Sequence, residues 1–160
     1  MKLTCPACGA VASAEAWIND ASCRQFMDEL TRLPGPVQVR ALPYIALFRK
    51  SKRGLSWPRA LRIIKTLSEL VHEGTVQWDG GELRPAPPHL WAEAMDRTID
   101  RSPKALENHN YLRKIAWEMA ERLAAKAERE REQQKMNRAY IEREPEKVSQ
   151  VLREFLKEKK

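Results

Sequence analysis

All three cysteines of the 160-residue chain lie within its first 23 residues. Cys5 and Cys8 have the Cys-x2-Cys spacing of a zinc knuckle, whose backbone N–H groups point at thiolate sulfur. Cys23 is the third candidate ligand, and the fourth is not fixed, since only Asp20 and three distant histidines remain. The pattern predicts a structural Zn2+ site. The alternative is a degenerate knuckle held by apolar packing, with Cys23 as a buried thiol.

A second group of chemically active residues is a run of cations between positions 49 and 65. This run contains seven basic residues and no acidic one, and residues 1–48 and 66–160 each carry as many acidic as basic side chains. The run therefore holds the whole net charge of +7, which makes nucleic acid or an anionic membrane surface the leading class of partner. We call it the basic segment; its cations are Arg49, Lys50, Lys52, Arg53, Arg59, Arg62 and Lys65.

The basic segment divides into a turn and a helix. Apolar residues recur at helical spacing from Ser56 to Gly74, and Arg59, Arg62 and Lys65 fall on the opposite face of that helix. We expect these three side chains to face a groove of the nucleic acid, and the four cations before the helix to hold phosphates. An acidic protein partner and a solvated basic face without a partner are the alternatives.

The sequence gives little support for catalysis or for membrane insertion. The motifs of phosphate-binding loops, dinucleotide folds and zinc proteases are absent, and the three histidines are scattered. We therefore predict that the protein is not an enzyme. No apolar run approaches the roughly 20 residues needed to span a bilayer, and the N-terminus lacks the apolar stretch of a signal peptide. We expect a cytoplasmic protein that does not bind membranes.

The elements that must position these residues are mainly helical. Apolar periodicity predicts helices over 13–33, over 37–48 and over 56–74. Pro43 would either kink the second helix or delay its start. Two short extended pieces, 75–78 and 82–84, flank an Asp-Gly turn. Helix, helix and hairpin follow in the order of a winged helix-turn-helix, so the sequence predicts a mainly α fold with a winged-helix-like core.

Further helices complete the chain. One follows a proline-rich entry near residue 88, and a long charged helix follows that and is expected to end at Pro145. An amphipathic tail helix with apolar residues from Val148 to Phe155 comes last. It is either an arm that binds a protein or a helix that folds back on the core. We predict four parts: a Cys-containing knuckle and helix (1–33), the winged-helix-like core (34–105), the long helix (106–144) and the tail helix (145–160).

Four strings, "MKLTCPACGA", "LPYIALFRKSKRGLSWPRA", "LRPAPPHLWAEAM" and "NHNYLRKIAWEMA", sample most of residues 1–120. In these strings the chain resembles a group of small phage and prophage proteins found among early or replication-region genes. The segment "NYLRKIA" is also similar to the helical tail that follows winged-helix domains in phage replication initiators and helicase-loading proteins. The resemblance implies a role in starting replication, as a bridge between DNA and a helicase or primase.

Charge, predicted fold and resemblance together predict a non-enzymatic DNA-binding protein of phage replication initiation or helicase loading. Two alternatives remain open. One is an adaptor whose tail binds a protein and whose basic segment binds an acidic partner. The other is a winged-helix transcriptional regulator, which would prefer one operator sequence.

Overall fold

The chain divides into two compact units, Met1–Glu121 and Arg122–Lys160, and each is considered separately below. At residues 3–4 and 140–157 only the backbone is described. The computed structural model describes residues 2–4, 10–13, 15–16, 20–50, 54–101, 103 and 105–157.

Helices dominate the part of the chain that the structure describes, as the sequence predicted. Two two-stranded antiparallel sheets accompany them, β1 with β2 and β3 with β4. The winged-helix arrangement stays a prediction. In chain order the elements are β1 (Lys2–Thr4), β2 (Val11–Ser13), α1 (Ala21–Arg32), α2 (Gly35–Ala46), α3 (Trp57–His72), β3 (Thr75–Val76), β4 (Arg84–Pro85), α4 (Pro88–Arg101) and α5 (Asn110–Lys157).

Helix α1 begins later than the apolar pattern indicated, because Asp20 caps it. The Asp20 Oδ1 accepts the backbone N–H groups of Ser22 at 2.7 Å and Cys23 at 3.1 Å, which satisfies two donors that the first turn leaves unpaired. Ser13, the expected cap, is the last residue of β2, and its Oγ accepts the N–H of Ala16 at 3.3 Å, which is the hydrogen bond of an N-cap beside helical residues 15–16. The carboxylate considered as a zinc ligand therefore has a capping role.

Helix α2 begins at Gly35 and contains Pro43. Pro43 therefore does not delay the start of the helix, which was one of the two effects expected of it. Pro36 lies in the first turn, where a missing N–H is not costly. Pro43 removes one internal hydrogen bond, but its ring is exposed while Ala41 and Tyr44 beside it are fully buried. Burial of this face offsets the lost hydrogen bond.

Helix α3 has the predicted bounds and the predicted buried face. Its N-cap is Ser56, whose side chain makes no capping hydrogen bond, and Pro58 lies in the first turn. Gly74 follows the helix with a φ of +70°, the left-handed conformation in which helices commonly end. Of the six apolar residues predicted to face the core, Leu70 is half-buried and the others are buried: Ala60, Ile63, Ile64, Leu67 and Val71.

The hairpin after α3 turns at the predicted Asp-Gly pair. Thr75 pairs with Pro85 and Val76 with Arg84. Between the strands, Asp79 and Gly80 have φ values of +47° and +69°, and the N–H of the next residue closes the turn on the Trp78 carbonyl at 2.8 Å. Two successive positive φ values are those of a type I′ turn, which favours Asp-Gly.

One core unites the first unit. Helix α1 packs on α3 and α2 packs on α4, and the first three turns of α5 add Leu112, Ile115 and Ala116 to the same buried cluster. The largest fully buried side chain is Trp91 on α4. The core thereby fixes α3, the turn before α5 and the end of α2 relative to one another.

The second unit is the continuation of α5, which extends to Lys157. The helix passes through Pro145, where the sequence placed a boundary between 106–144 and 145–160. A proline inside a helix costs about 3 kcal/mol, and the Glu, Lys and Arg residues on both sides are strong helix formers that favour continuation. Residues 122–139 are exposed except for half-buried Ala124. None of the described helices is long and apolar enough to cross a membrane.

Candidate nucleic-acid interface

Helix α3 presents its cations on the side away from its buried apolar face. The Arg62 and Lys65 side chains are exposed and Arg59 is half-buried. This follows from the helical period, because Ile64 and Leu67, which are fully buried, point to the opposite side. The sequence therefore predicted that these three residues lie on the outer face of α3, but not what lies beside them.

A groove of about 380 Å³ runs along the first two turns of α3. Arg59 and Arg62 form one wall, and the turn of residues 107–109 before α5 forms the other. The N–H of Leu106 donates to the Leu47 carbonyl at 2.9 Å, which ties this turn to the end of α2. We call this feature the arginine groove; it is lined by Phe48, Arg59, Arg62, Ile63, Thr66, Glu107, Asn108 and His109.

The cations that precede α3 divide between the groove and the part of the chain outside the described residues. The Lys50 Nζ lies 3.5 Å from a Glu107 carboxylate oxygen. Both side chains are largely exposed, so the pair adds little stability, but it places Lys50 at the rim of the arginine groove. Arg49 is half-buried at the end of α2. Lys52 and Arg53 lie outside the described residues.

Lys65 is on α3 but lies apart from the arginine groove. It lines a separate depression between α1 and α3 together with Glu29, Glu69 and His72. Of the seven predicted contact residues, the structure therefore assembles Lys50, Arg59 and Arg62 around one groove and leaves Lys65 among carboxylates.

A buried histidine supports the floor of the groove. The Tyr44 Oη is 2.8 Å from His109 Nδ1, and His109 Nε2 is 3.1 Å from the Ile63 carbonyl oxygen. Because a carbonyl only accepts, Nε2 carries the proton and Nδ1 accepts the Tyr44 O–H. The Thr66 Oγ1 also approaches Nε2 at 3.0 Å. Both ring nitrogens are thus occupied by protein groups, which leaves neither for a zinc ion.

Burial sets the charge state of this cluster. It lowers the pKa of His109 to about 4, although the hydrogen bond to the Ile63 carbonyl opposes the shift. Burial also raises the pKa of the Tyr44 hydroxyl, so Tyr44 stays a neutral donor. At neutral pH His109 is uncharged, and the positive charge of the groove comes from its arginines. In the sequence His109 is only a distant candidate zinc ligand, because its hydrogen-bond partners lie 43 to 65 residues away along the chain.

The charge of α3 reverses along its length. Arg59 and Arg62 lie in the first two turns, whereas Glu69 and Glu73 lie at the other end, in a second groove that includes Arg113. This order opposes the helix dipole, which favours anions at the N-terminus and cations at the C-terminus by about 0.3–1 kcal/mol each. The positive potential of α3 is therefore concentrated at its start.

The hairpin after α3 is fastened to α5 within the first unit. An Arg113 guanidinium nitrogen donates to the Gln77 carbonyl at 3.0 Å, and the Trp117 indole N–H donates to the Glu82 carbonyl at 3.0 Å. The Trp117 ring also lies directly against Gly81. The segment predicted to act as a wing is thus held on a helix.

The structure leaves the zinc site a prediction. Cys5 and Cys8 lie outside the described residues, and Cys23 is 3% exposed in the first turn of α1. Thr4 pairs with Val11 in the β1–β2 sheet, so the ends of the segment that contains Cys5 and Cys8 are close together. Across the ranges that the structure describes, no group of three or more His, Cys, Asp or Glu residues is placed to hold a metal ion.

No curated protein and no solved structure matches the chain. A protein-family model described as HI_1489_N, N-terminal domain, matches residues 1–114. This range includes the complete basic segment, the arginine groove, the hairpin and the first turn of α5. Since the match covers well over half of the sequence, the chain belongs to the HI_1489_N family.

Proposed function

We propose that this protein is a non-enzymatic nucleic-acid-binding protein that acts on DNA at the start of replication. The observation that carries the proposal is the position of its charge. The whole net charge of +7 lies in residues 49–65, and two arginines of that segment line one groove with Lys50 at its rim. A concentrated cluster of cations is the electrostatic footprint of a phosphate-binding surface.

The residue types favour nucleic acid over an acidic protein. Arginine presents a planar fork of donors that matches phosphates and carboxylates alike in bidentate geometry, but its plane also stacks on bases, which an acidic protein does not offer. The order of α2, α3 and the β3–β4 hairpin is that of a winged helix-turn-helix, a motif that binds DNA, and this order favours DNA as the ligand. The replication role rests on the resemblance to phage early-region proteins and implies a helicase or primase as partner.

Replacing Arg59 and Arg62 together by Gln is expected to weaken DNA binding about tenfold, which two lost phosphate contacts account for. The slope of log affinity against log salt should become shallower by about 0.7–0.9 per contact. Fluorescence anisotropy with labelled DNA across a salt series measures both quantities.

The matched control replaces Lys126 and Arg129 by Gln, which removes two exposed cations from the second unit. Its affinity and salt slope should stay close to those of the wild type. Equal losses in the two variants would mean that binding follows overall charge rather than the groove, and no binding by the wild type would refute the function.

The exposed helix of the second unit favours a second function, that of an adaptor. Residues 122–139 are almost entirely exposed, so packing in a core does not explain the presence of this helix. The sequence from Val148 to Phe155 carries apolar residues at helical spacing, the pattern of a helix that binds in a groove of another protein.

Deleting residues 145–160 separates the two functions. We expect the free energy of unfolding of the first unit to change by less than about 0.5 kcal/mol and DNA affinity to be retained, while binding to a replicative helicase or primase is lost. Urea unfolding, anisotropy and a pull-down with purified partners test these outcomes. Retained partner binding would contradict the adaptor role of the tail.

A further inference from the structure

We propose that the arginine groove holds one unpaired nucleotide, so that the preferred ligand of the protein is single-stranded rather than duplex DNA. This inference rests on the proposed function and specifies its ligand. It comes from the shape of the groove, from the groups that line it, and from the features of α3 that disfavour a duplex.

The groove has the size and construction of a site for a small organic group. Its volume of about 380 Å³ lies within the 300–1,000 Å³ of typical ligand sites. Phe48 and Ile63 are buried at its floor, with exposed fractions of 1% and 8%. The Phe48 ring lies 5.3 Å from the neutral His109 ring. An apolar floor below charged walls suits a flat base attached to a phosphate.

The walls supply the groups that an unpaired nucleotide requires. Arg59 and Arg62 are three residues apart on one helix and are therefore neighbours, so one guanidinium can stack on a base while the other holds its phosphate. Asn108 accepts the N–H of Asn110 with its Oδ1, which leaves its amide NH2 as a donor to a base edge. The Glu107 carboxylate is an acceptor on the same wall.

Duplex DNA fits this surface less well. A recognition helix in a major groove has phosphate strands along both sides. Beyond the first two turns of α3, Lys65 lies beside Glu29 and Glu69, and Glu69 and the C-cap residue Glu73 line the far end, where they repel phosphates. The Thr66 hydroxyl, on the same face, is already bonded to the carbonyls of Arg62 and Ile63. The hairpin that would act as a wing is fastened to α5 by Arg113 and Trp117.

The test compares three DNA probes by fluorescence anisotropy with the full chain: a single strand of about 12 nucleotides, which is within the range of single-strand site sizes, its duplex, and the same strand without bases. We expect the single strand to bind at least about fivefold more tightly than the duplex, because one stacked base contributes a factor of about five or more. The strand without bases should lose that advantage.

Arg62→Lys separates stacking from charge, because lysine keeps the charge but lacks the planar guanidinium. We expect about a fivefold loss for the single strand, an unchanged salt slope, and unchanged duplex binding. Arg62 is exposed, and an unchanged unfolding temperature confirms that the variant is folded. The control Lys65→Arg lies outside the groove and should bind all probes as the wild type does.

The outcomes distinguish the two proposals. Equal binding of single strand and duplex, with no effect of Arg62→Lys on either, would overturn the nucleotide site but leave the protein a nucleic-acid-binding protein. Failure to bind any of the three probes would overturn the proposed function and the nucleotide site together.

Discussion

Acidification from about pH 7 to about pH 4 is expected to lower the free energy of unfolding by about 3 kcal/mol through His109 alone. The folded protein holds this imidazole neutral, with a pKa lowered to about 4, chiefly because the ring is buried. The unfolded chain exposes it, and its pKa returns to the ordinary value near 6.5. Between about pH 4 and pH 6.5 the unfolded chain therefore binds a proton at His109 that the folded protein does not bind.

The sign of the effect follows from that difference. The stability contributed by neutral His109 is fully present above pH 6.5 and is lost as the pH falls toward 4. Protonation would also place a hydrogen on Nδ1, which accepts the Tyr44 O–H at 2.8 Å, so Tyr44 would have to turn. Because Tyr44 is fully buried, its hydroxyl is shielded from bulk water, and losing the His109 acceptor is costly.

Urea unfolding across this pH interval measures the effect in the wild type, in His109→Gln and in His72→Gln. The Gln side chain at position 109 does not titrate, so this variant should lose about 3 kcal/mol less than the wild type on acidification. His72 is exposed, and its variant should follow the wild type. Parallel pH profiles for all three proteins would show that His109 does not carry the dependence.

Replacing Gly81 by Ala is expected to destabilise the protein by about 2 kcal/mol, the range of overpacked sites. A Cβ at this position would lie 2.5 Å from Cζ2 of Trp117 and 2.9 Å from the Trp78 carbonyl oxygen. Neither neighbour can yield easily. The Trp117 indole is held by its hydrogen bond to Glu82, and the Trp78 carbonyl closes the turn by accepting the Gly81 N–H.

A second glycine provides the matched control. Gly35, in the first turn of α2, has no atom beyond its chain neighbours within 4 Å of its Cβ position, so Gly35→Ala should cost clearly less than Gly81→Ala, its remaining cost arising from Pro36, which disfavours helical backbone at the residue before it. Thermal unfolding of the two variants measures the difference. If Gly81→Ala is as stable as the wild type, the hairpin does not pack on α5 as described.

The two predictions bear on the function in different ways. His109 fixes the floor and one wall of the arginine groove, so its protonation should also weaken single-strand binding below about pH 5. The contact of Gly81 with Trp117 fixes the hairpin on α5, so its disruption should leave the arginine groove intact. Binding measured on the same variants therefore shows whether the groove or the hairpin contacts the nucleic acid.

The elements of the fold could largely be predicted because their signals are local. The apolar face of helix α3, the proline Pro58 in its first turn and the glycine Gly74 after its end all lie within one short segment. The Asp79–Gly80 pair likewise defines the turn of the β3–β4 hairpin, because both residues adopt positive φ values. The single helix predicted from Ser13 contains two caps, because Ser13 and Asp20 each accept the N–H of the residue three positions on, and the apolar pattern does not reveal that α1 begins only after the second. The end at Pro145 was predicted because a proline usually ends a helix, yet α5 continues.

The sequence by itself determined that the net charge lies in one short segment and that Arg59, Arg62 and Lys65 are on the outer face of a helix, because charge and helical period are local properties. Only the tertiary structure decided which cations share a groove. It brought Lys50, Arg59 and Arg62 to the turn before α5 and placed Lys65 beside the carboxylates of α1 and α3. It also buried His109 against Tyr44, 65 residues away. The physical reason is that a groove forms where separate segments meet around a common core, and spacing along the chain does not encode that meeting.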